Sequence, residues 1–161
     1  MDYATIQTVI GHLKMVEDNG KLVELSFTKE ELVKPKTPFL KDVQKQLNEY
    51  FSKKRKKFDI PLQLSGTPFE KDVYKALMKV PYGKTCSYKE LAKLAKHDNA
   101  YRAVGQANHK NKIVIVIPCH RVINSDGSLG GYGAGTDKKR VLLDIEGTQI
   151  WVMQKRGQRD D

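Results

Sequence analysis

The alternation of apolar and polar side chains over residues 4–28, broken at Asn19-Gly20, constrains the fold of this chain most strongly. A period of two is typical of a strand with one buried face, and Asn-Gly is a favoured pair in a tight hairpin turn. Val23, Leu25 and Phe27 have one parity here, opposite to Leu22, Glu24 and Ser26. The segment therefore predicts hairpins of an antiparallel sheet.

A helix is expected after this sheet. Thr37-Pro38 places a capping residue directly before a proline at the first helical position. The apolar residues that follow fall at helical spacing: Leu40, Val43, Leu47, Tyr50 and Phe51. Residues 61–66 have the composition of a linker. We predict a small N-terminal domain, a sheet plus a helix, over residues 1–62, and nothing in it indicates chemistry.

The second domain, residues 63–161, is predicted to be mostly helical. Thr67-Pro68 repeats the helix start, and Ser87 with Glu90 matches the capping box. Asn99 is expected to cap a further helix that runs to about Asn108. Two short helices joined by a tight turn indicate a helix-turn-helix. The fold class is thus α/β in content and α+β in arrangement.

The run from Ile113 to Ile117 is short, β-branched and without alternation, which predicts a buried strand. A glycine-rich loop follows at residues 130–135. Thr136 is expected to cap a last helix that ends at Glu146-Gly147 and faces inward through Val141, Leu142 and Ile145. The tail from Thr148 is polar and is expected to fray, with Trp151 available to pack back.

Composition restricts the class of protein. Cys86 and Cys119 are the two cysteines, and the four histidines show no ligand spacing beside them, so we expect no metal and no disulfide. No apolar run approaches the ~18 residues of a membrane span, and the N-terminus does not resemble a signal peptide. We therefore expect an intracellular protein, cytoplasmic or, in a eukaryote, nuclear.

The net charge of +10 and a pI near 9.5 favour a polyanionic partner. Composition alone does not choose between nucleic acid and an acidic membrane surface. The basic run Lys53–Lys57 follows a helix-like segment and is expected to be a solvated face rather than the binding site.

Cys119-His120 is the candidate reactive pair. A cysteine in the first turn of a short helix is expected to have its thiolate stabilised by backbone amides and the helix dipole. A neighbouring imidazole can act as its base. From the dipeptide alone, a buried cysteine beside an unrelated histidine is the favoured interpretation.

The surrounding motifs narrow this choice. Pro118–Val122 follows an apolar run, Arg102–Gly105 precedes it within the helix-turn-helix, and Gly130–Tyr132 and Glu146-Gly147 come after it. In order and spacing, these segments closely resemble the O6-alkylguanine-DNA alkyltransferases (methylated-DNA–protein cysteine methyltransferases). The resemblance is strong over residues 67–147 and weaker over residues 4–60.

The resemblance implies a suicide repair reaction without a cofactor. Cys119 would accept the alkyl group, His120 would take the thiol proton through a water, and Glu146 would hold His120. Tyr88 would donate to N3 of guanine. The implied partner is double-stranded DNA that carries O6-alkylguanine, with no membrane, no obligate protein partner and a monomeric protein.

The resemblance also assigns the base pocket. Tyr132 would cover the alkyl group, the Gly133 amide would point at O6, and the carbonyls of Cys119 and Val122 would accept from the exocyclic amine. Many family members have serine where this chain has Gly133. Asn111 resembles the asparagine that ties the recognition helix to the active-site strand, whereas Cys86 has no matching role and is expected to pack.

DNA contact is assigned to the second helix of the helix-turn-helix. Arg102 resembles the finger that fills the place of the extruded base. Ala100, Ala103 and Gly105 are small, which suits close approach to the minor groove rather than base reading in the major groove.

Three other functions remain as alternatives. An alkyltransferase-like protein flags lesions without repairing them, but has another residue in place of the cysteine. A helix-turn-helix regulator needs side chains that read bases, and a cysteine hydrolase needs an oxyanion hole and repeated turnover. Stoichiometric transfer distinguishes the alkyltransferase from all three.

Overall fold

The structure is a computed structural model in which residues 1–148 are described, so the prediction for Trp151 and the rest of the tail lies outside the described residues. The chain forms two units. The first contains Met1–Ser65 and Lys112–Val116, and the second contains Gly66–Asn111 and the described residues from Ile117 to residue 148. The domain boundary predicted at residue 62 assigns residues 112–116 to the second domain, whereas in the structure they belong to the first unit. Among residues 1–148, no helix has the length and apolar character to cross a membrane.

The first unit contains the predicted antiparallel hairpins. The strands are β1 (Asp2–Thr8), β2 (Gly11–Asp18) and β3 (Lys21–Thr28), in the order β1-β2-β3. Val16 pairs with Glu24 but Glu17 pairs with Leu22, so β3 carries one extra residue. This bulge explains why Leu22 and Leu25 are both buried although their parities differ.

Helix α1 (Pro38–Phe51) packs against β1 and β2 and begins as predicted. The Thr37 hydroxyl accepts from the Leu40 amide at 3.1 Å, which satisfies one of the free donors of the first turn. The inward residues are Leu40, Val43, Gln46, Leu47 and Tyr50.

The second unit contains α2 (Pro68–Leu77), α3 (Tyr88–Leu94), α4 (Tyr101–His109) and α5 (Thr136–Ile145). The first three pack on one another, and α3 with α4 forms the predicted helix-turn-helix. The capping box of Ser87 and Glu90 is present in both directions.

Two capping predictions are wrong. The N-cap residue of α4 is Ala100 rather than Asn99. The Ala100 amide donates to the His97 carbonyl at 2.9 Å, and this turn leaves Asn99 one residue before the capping position. Helix α5 begins after Gly135 at φ 107°, so Thr136 is already helical and makes no side-chain cap.

The strand predicted over residues 113–117 is also wrong. Only Ile113 forms a bridge, to Leu25 of β3, and the chain then turns at Ile115, where φ is 73°. The Val116 amide donates to the Val114 carbonyl at 2.8 Å across this γ-turn. The isoleucines at 113, 115 and 117 are nevertheless buried. The apolar composition of the run thus predicted its burial but not its secondary structure, because apolar side chains can be buried without a partner strand.

Candidate active site

A sharp turn directs Cys119 inward. Pro118 has φ −81° and ψ 64°, and the Cys119 amide donates across it to the Ile117 carbonyl at 2.7 Å. This is an inverse γ-turn, whose φ the proline ring already favours. Cys119 then begins a three-residue 3-10 helix, Cys119–Arg121, and is only 4% exposed.

Burial raises the pKa of Cys119 above its ordinary value. Hydrogen bonds with the side chains of Asn111 and Tyr132, and the positive charge of Lys139, oppose this shift without reversing it. The expectation that a helix dipole stabilises a resting thiolate is therefore wrong, since a single 3-10 turn aligns too few peptide dipoles to offset desolvation. The resting residue is a thiol, and it needs a base to become a nucleophile.

His120, the base predicted from the sequence, has its ring held by Glu146. Its Nε2 lies 2.7 Å from Oε2 of Glu146, and both side chains are completely buried. A carboxylate only accepts, so Nε2 carries the proton and Nδ1 is an acceptor. Nδ1 is buried and has no partner among residues 1–148. Burial lowers the pKa of His120 more than Glu146 raises it, so the ring is neutral at pH 7.

Arg121 balances the charge of Glu146. Its Nε and Nη2 donate to the two carboxylate oxygens at 2.8 and 3.0 Å, and its Nη1 donates to the Val80 carbonyl at 2.7 Å. Burial raises the pKa of Glu146, but the hydrogen bonds from His120 and Arg121 lower it to about 2. Glu146 is therefore ionised and holds His120 in one tautomer.

Two asparagines tie the end of α4 to the turn that carries Cys119. Asn111 Nδ2 donates to the Ile117 carbonyl at 2.8 Å. Asn108 Nδ2 lies 3.4 Å from the Cys119 carbonyl, so one lone pair of that carbonyl already has a donor. Movement of α4 is therefore coupled to the position of the thiol.

The glycine-rich loop closes over the thiol from the side of α5. Lys139, which is completely buried, donates from Nζ to the carbonyls of Leu129 at 2.5 Å and Gly131 at 3.1 Å. Burial lowers the pKa of Lys139 to about 8, although the electrostatic effect of Cys119 acts to raise it. Burial, and then Cys119, raises the pKa of Tyr132 well above its ordinary value. Gly133 is exposed, and a Cβ added there meets no atom within 4 Å.

Tyr88, the first residue of α3, is also near the thiol. Burial raises its pKa, with Cys119 and then Cys86 adding to the shift. A Cβ added to Gly105 would lie 3.5 Å from Cδ1 of Tyr88, so this glycine of α4 faces the tyrosine ring.

Cys86 and Val122 form a backbone bridge beside Cys119. The Cys86 amide donates to the Arg121 carbonyl and its carbonyl accepts from the Ile123 amide, both at 2.9 Å. Val122 is completely buried. Both cysteines are free, and burial raises the pKa of Cys86 to about 12, which leaves it an unreactive packing residue.

The residues predicted to meet DNA differ in exposure. Arg102 and Ala103 are exposed on α4, whereas Ala100 and Gly105 are half-buried. Val104 and Ala107 form the inner face of the helix. Arg102 therefore extends from the same helix whose C-terminal end is tied to Cys119.

Sequence reasoning missed Arg121, Asn108 and Lys139. The burial of Lys139 could have been predicted from helical spacing. Lys139 lies three residues before Leu142 and four before Leu143, so it shares their inward face. Val141 was expected on this face but is 38% exposed. A lysine in an apolar stripe marks a buried charge that needs partners.

Comparison with known proteins identifies the family. The family model for the 6-O-methylguanine DNA methyltransferase DNA binding domain matches residues 68–148, and that for its ribonuclease-like domain matches residues 1–64. The methylated-DNA–protein-cysteine methyltransferase of Methanosarcina mazei is 44% identical over 154 residues, covering 91% of this chain and 97% of the relative. The constitutive enzyme of Bacillus subtilis is 40% identical over 155 residues, covering 89% and 94%.

Solved structures give the same result. The crystal structure of Mycobacterium tuberculosis OGT in complex with DNA superposes with a TM-score of 0.83 at 38% identity, covering 94% of this chain and 98% of that one. An O6-methylguanine DNA methyltransferase from Methanococcus jannaschii gives a TM-score of 0.65 at 30% identity, covering 88% and 92%. The resemblance found in the sequence is confirmed, and the chain belongs to the O6-methylguanine-DNA methyltransferase family.

Proposed function

We propose that this protein repairs duplex DNA by moving an alkyl group from O6 of guanine onto Cys119, once per chain. Family membership supports the reaction class. The single observation that carries the assignment to Cys119 is the buried Glu146–His120 pair. Nδ1 of His120 is an acceptor without a partner among residues 1–148, and His120 directly follows a residue with a protonated thiol.

The proton and the alkyl group move in opposite directions. The Cys119 proton passes through a water to Nδ1 of His120, while Glu146 stabilises the imidazolium that forms. The sulfur attacks the alkyl carbon in line with O6, so that the S–C bond forms as the C–O bond breaks. The electron pair of the broken bond goes to guanine, whose N1 takes up a proton, and His120 releases the proton that it received, so no proton is gained or lost overall.

The pocket residues make guanine a better leaving group. Tyr88 donates to N3, and the Gly133 amide donates to O6, where negative charge develops. Tyr132 covers the alkyl group. The carbonyls of Cys119 and Val122 accept from the exocyclic amine and so select guanine.

Access to O6 requires extrusion of the base from the stack. Arg102 enters the duplex in its place, and Ala100, Ala103 and Gly105 allow α4 to approach the minor groove. The net charge of +10 supports attraction to phosphates. No step needs a second chain or a cofactor, so we propose a monomer that acts where DNA is held, in the cytoplasm or a nucleus.

Turnover stops after one reaction because the thioether is stable. Incubation with a duplex that contains O6-methylguanine is therefore expected to add about 14 Da, one methyl in place of one hydrogen, to the peptide that holds Cys119. The label saturates at one per chain. Cys119→Ser abolishes it without loss of DNA binding, and Cys86→Ser serves as the matched control that is still labelled. Label on Cys86, or more than one product per chain, contradicts the proposal.

A further inference from the structure

Tyr101 departs from the small-residue pattern of the proposed DNA-binding helix. It is the first residue of α4, stands between Ala100 and Arg102, and is 39% exposed. The ammonium of Lys89, on α3, lies 5.5 Å from the centre of the Tyr101 ring, which is the geometry of a cation–π contact. A bulky ring next to Ala100 and Ala103 opposes close approach to DNA unless the ring itself contacts the DNA.

The position of the pair relates it to the pocket. Tyr101 and Gly105 are one helical turn apart and share a side of α4. Gly105 faces the ring of Tyr88, which directly precedes Lys89 at the start of α3. The two contacts, Tyr88 with Gly105 and Lys89 with Tyr101, therefore lie side by side between α3 and α4, and the second also adjoins Arg102.

We propose that Lys89 and Tyr101 form a DNA-contact pair beside the flipped nucleotide. The Tyr101 ring packs against the sugar or base edge that borders the gap, and Lys89 neutralises a neighbouring phosphate. The inference rests on the proposed function, because it assumes that α4 meets duplex DNA. A phenol ring combines a large apolar face with few rotatable bonds, so it gains contact at a small entropic cost. The lysine above it holds the ring in place before DNA arrives.

The chain offers a matched control. Tyr3, in the first unit, is 50% exposed, and the Lys14 ammonium lies 5.3 Å from its ring centre. The pair has the same chemistry as Lys89 and Tyr101 but belongs to β1 and β2. Substitution at Tyr3 therefore reports what the loss of an exposed cation–π pair does by itself, whereas substitution at Lys14 also removes the ion pair of Lys14 with Glu30 at 3.4 Å.

Two measurements are made on each variant: affinity for an O6-methylguanine duplex over a range of salt concentrations, and the rate at which free O6-benzylguanine labels Cys119. Tyr101→Ala is expected to weaken duplex binding roughly five- to tenfold, as loss of an aromatic contact with DNA does, and to affect the free-base reaction less. Tyr101→Phe keeps the ring and binds as the unmodified protein does. Lys89→Gln reduces the log–log salt slope by about 0.9, the value for one phosphate. Tyr3→Ala and Lys14→Gln bind as the unmodified protein does.

The inference is overturned if Tyr101→Ala and Lys89→Gln bind the duplex as well as the controls Tyr3→Ala and Lys14→Gln do. Equal losses on the duplex and on the free base also overturn it, because the pair would then only support Tyr88. Failure of the O6-methylguanine duplex to label Cys119 in the unmodified protein is a different outcome, which contradicts the proposed function itself.

Discussion

His120 donates from Nε2 to Glu146 at 2.7 Å inside the protein, with both side chains at 0% exposure. The pair leaves Nδ1 of His120 as the only ring nitrogen able to receive a proton. Because Arg121 binds both oxygens of the same carboxylate, the charge of Glu146 is balanced before any reaction begins.

Glu146→Gln is expected to slow alkyl transfer about 10²- to 10⁴-fold, the usual contribution of a positioned base. The amide keeps the shape of the carboxylate but removes the charge that stabilises an imidazolium on His120. It also leaves Arg121 without its counterion, which typically lowers the free energy of unfolding by about 3–5 kcal/mol. The rate is measured with free O6-benzylguanine and the stability by urea unfolding. A folded Glu146→Gln protein with an unchanged rate contradicts the role of the pair.

Acid is expected to destabilise the protein in two stages. The folded pKa of His120 is depressed below its ordinary 6.5, so the unfolded chain binds that proton first and stability begins to fall as the pH drops below about 6.5. The folded pKa of Glu146 is depressed from 4.5 to about 2, so its contribution is present above 4.5 and is lost as the pH falls toward 2. Urea unfolding at a series of pH values measures both stages. Glu146→Gln lacks the second stage, and a matching acid profile in the two proteins contradicts this prediction.

Lys139→Met is expected to raise the apparent pKa of Cys119 further and to slow alkyl transfer. The substitution removes a buried positive charge that opposes the effect of burial on the thiol. It also leaves the carbonyls of Leu129 and Gly131 without their donor, which loosens the loop over the pocket. The measurement is the pH profile of Cys119 alkylation by iodoacetamide, followed by peptide mass spectrometry. Lys138→Met, one residue earlier, is the control, and identical profiles for the two variants refute the role of Lys139.

Gly133→Ser is expected to fit without strain and to speed transfer several-fold. A Cβ at this position meets no atom within 4 Å, and a serine hydroxyl would add a donor near O6. The free energy of unfolding should change by less than about 0.5 kcal/mol, as for other unstrained surface substitutions. Gly135→Ser is the control. A Cβ at residue 135 also meets no atom within 4 Å, but φ there is 107°, so the substitution should lower the free energy of unfolding by about 1–3 kcal/mol. A slower Gly133→Ser protein means that the loop does not present residue 133 to O6.

Arg102→Ala is expected to slow repair of a duplex much more than reaction with the free base. Only the duplex reaction includes extrusion of the nucleotide, which requires a few kcal/mol that the arginine helps to offset. Arg140→Ala, an exposed arginine of α5, should slow neither reaction. Single-turnover rates on the two substrates measure the difference. Equal losses on both substrates mean that Arg102 is not a finger.

Local patterns predicted the elements well, and they failed where a contact with a distant residue decides the outcome. The capping signals and the alternation over residues 4–28 act through neighbours in sequence, so the sequence alone predicts α1, α3 and the antiparallel hairpins. The strand over residues 113–117 was predicted from apolar β-branched composition, but a strand also needs a partner. Only Leu25 pairs with this segment, and the chain turns at Ile115.

The motif around Cys119 and its spacing to Glu146 were enough to determine the family, and they carry the proposal of a nucleophile, a base and a carboxylate. The protonation state of each of these groups was decided by the tertiary structure. A pKa depends on how deeply a group is buried and on which charges surround it, and these neighbours come from distant parts of the chain. Burial makes Cys119 a thiol despite Lys139, and Arg121 with His120 keeps Glu146 ionised. The sequence thus determined the family and supplied the candidate reacting groups, and the fold decided which of them holds the proton.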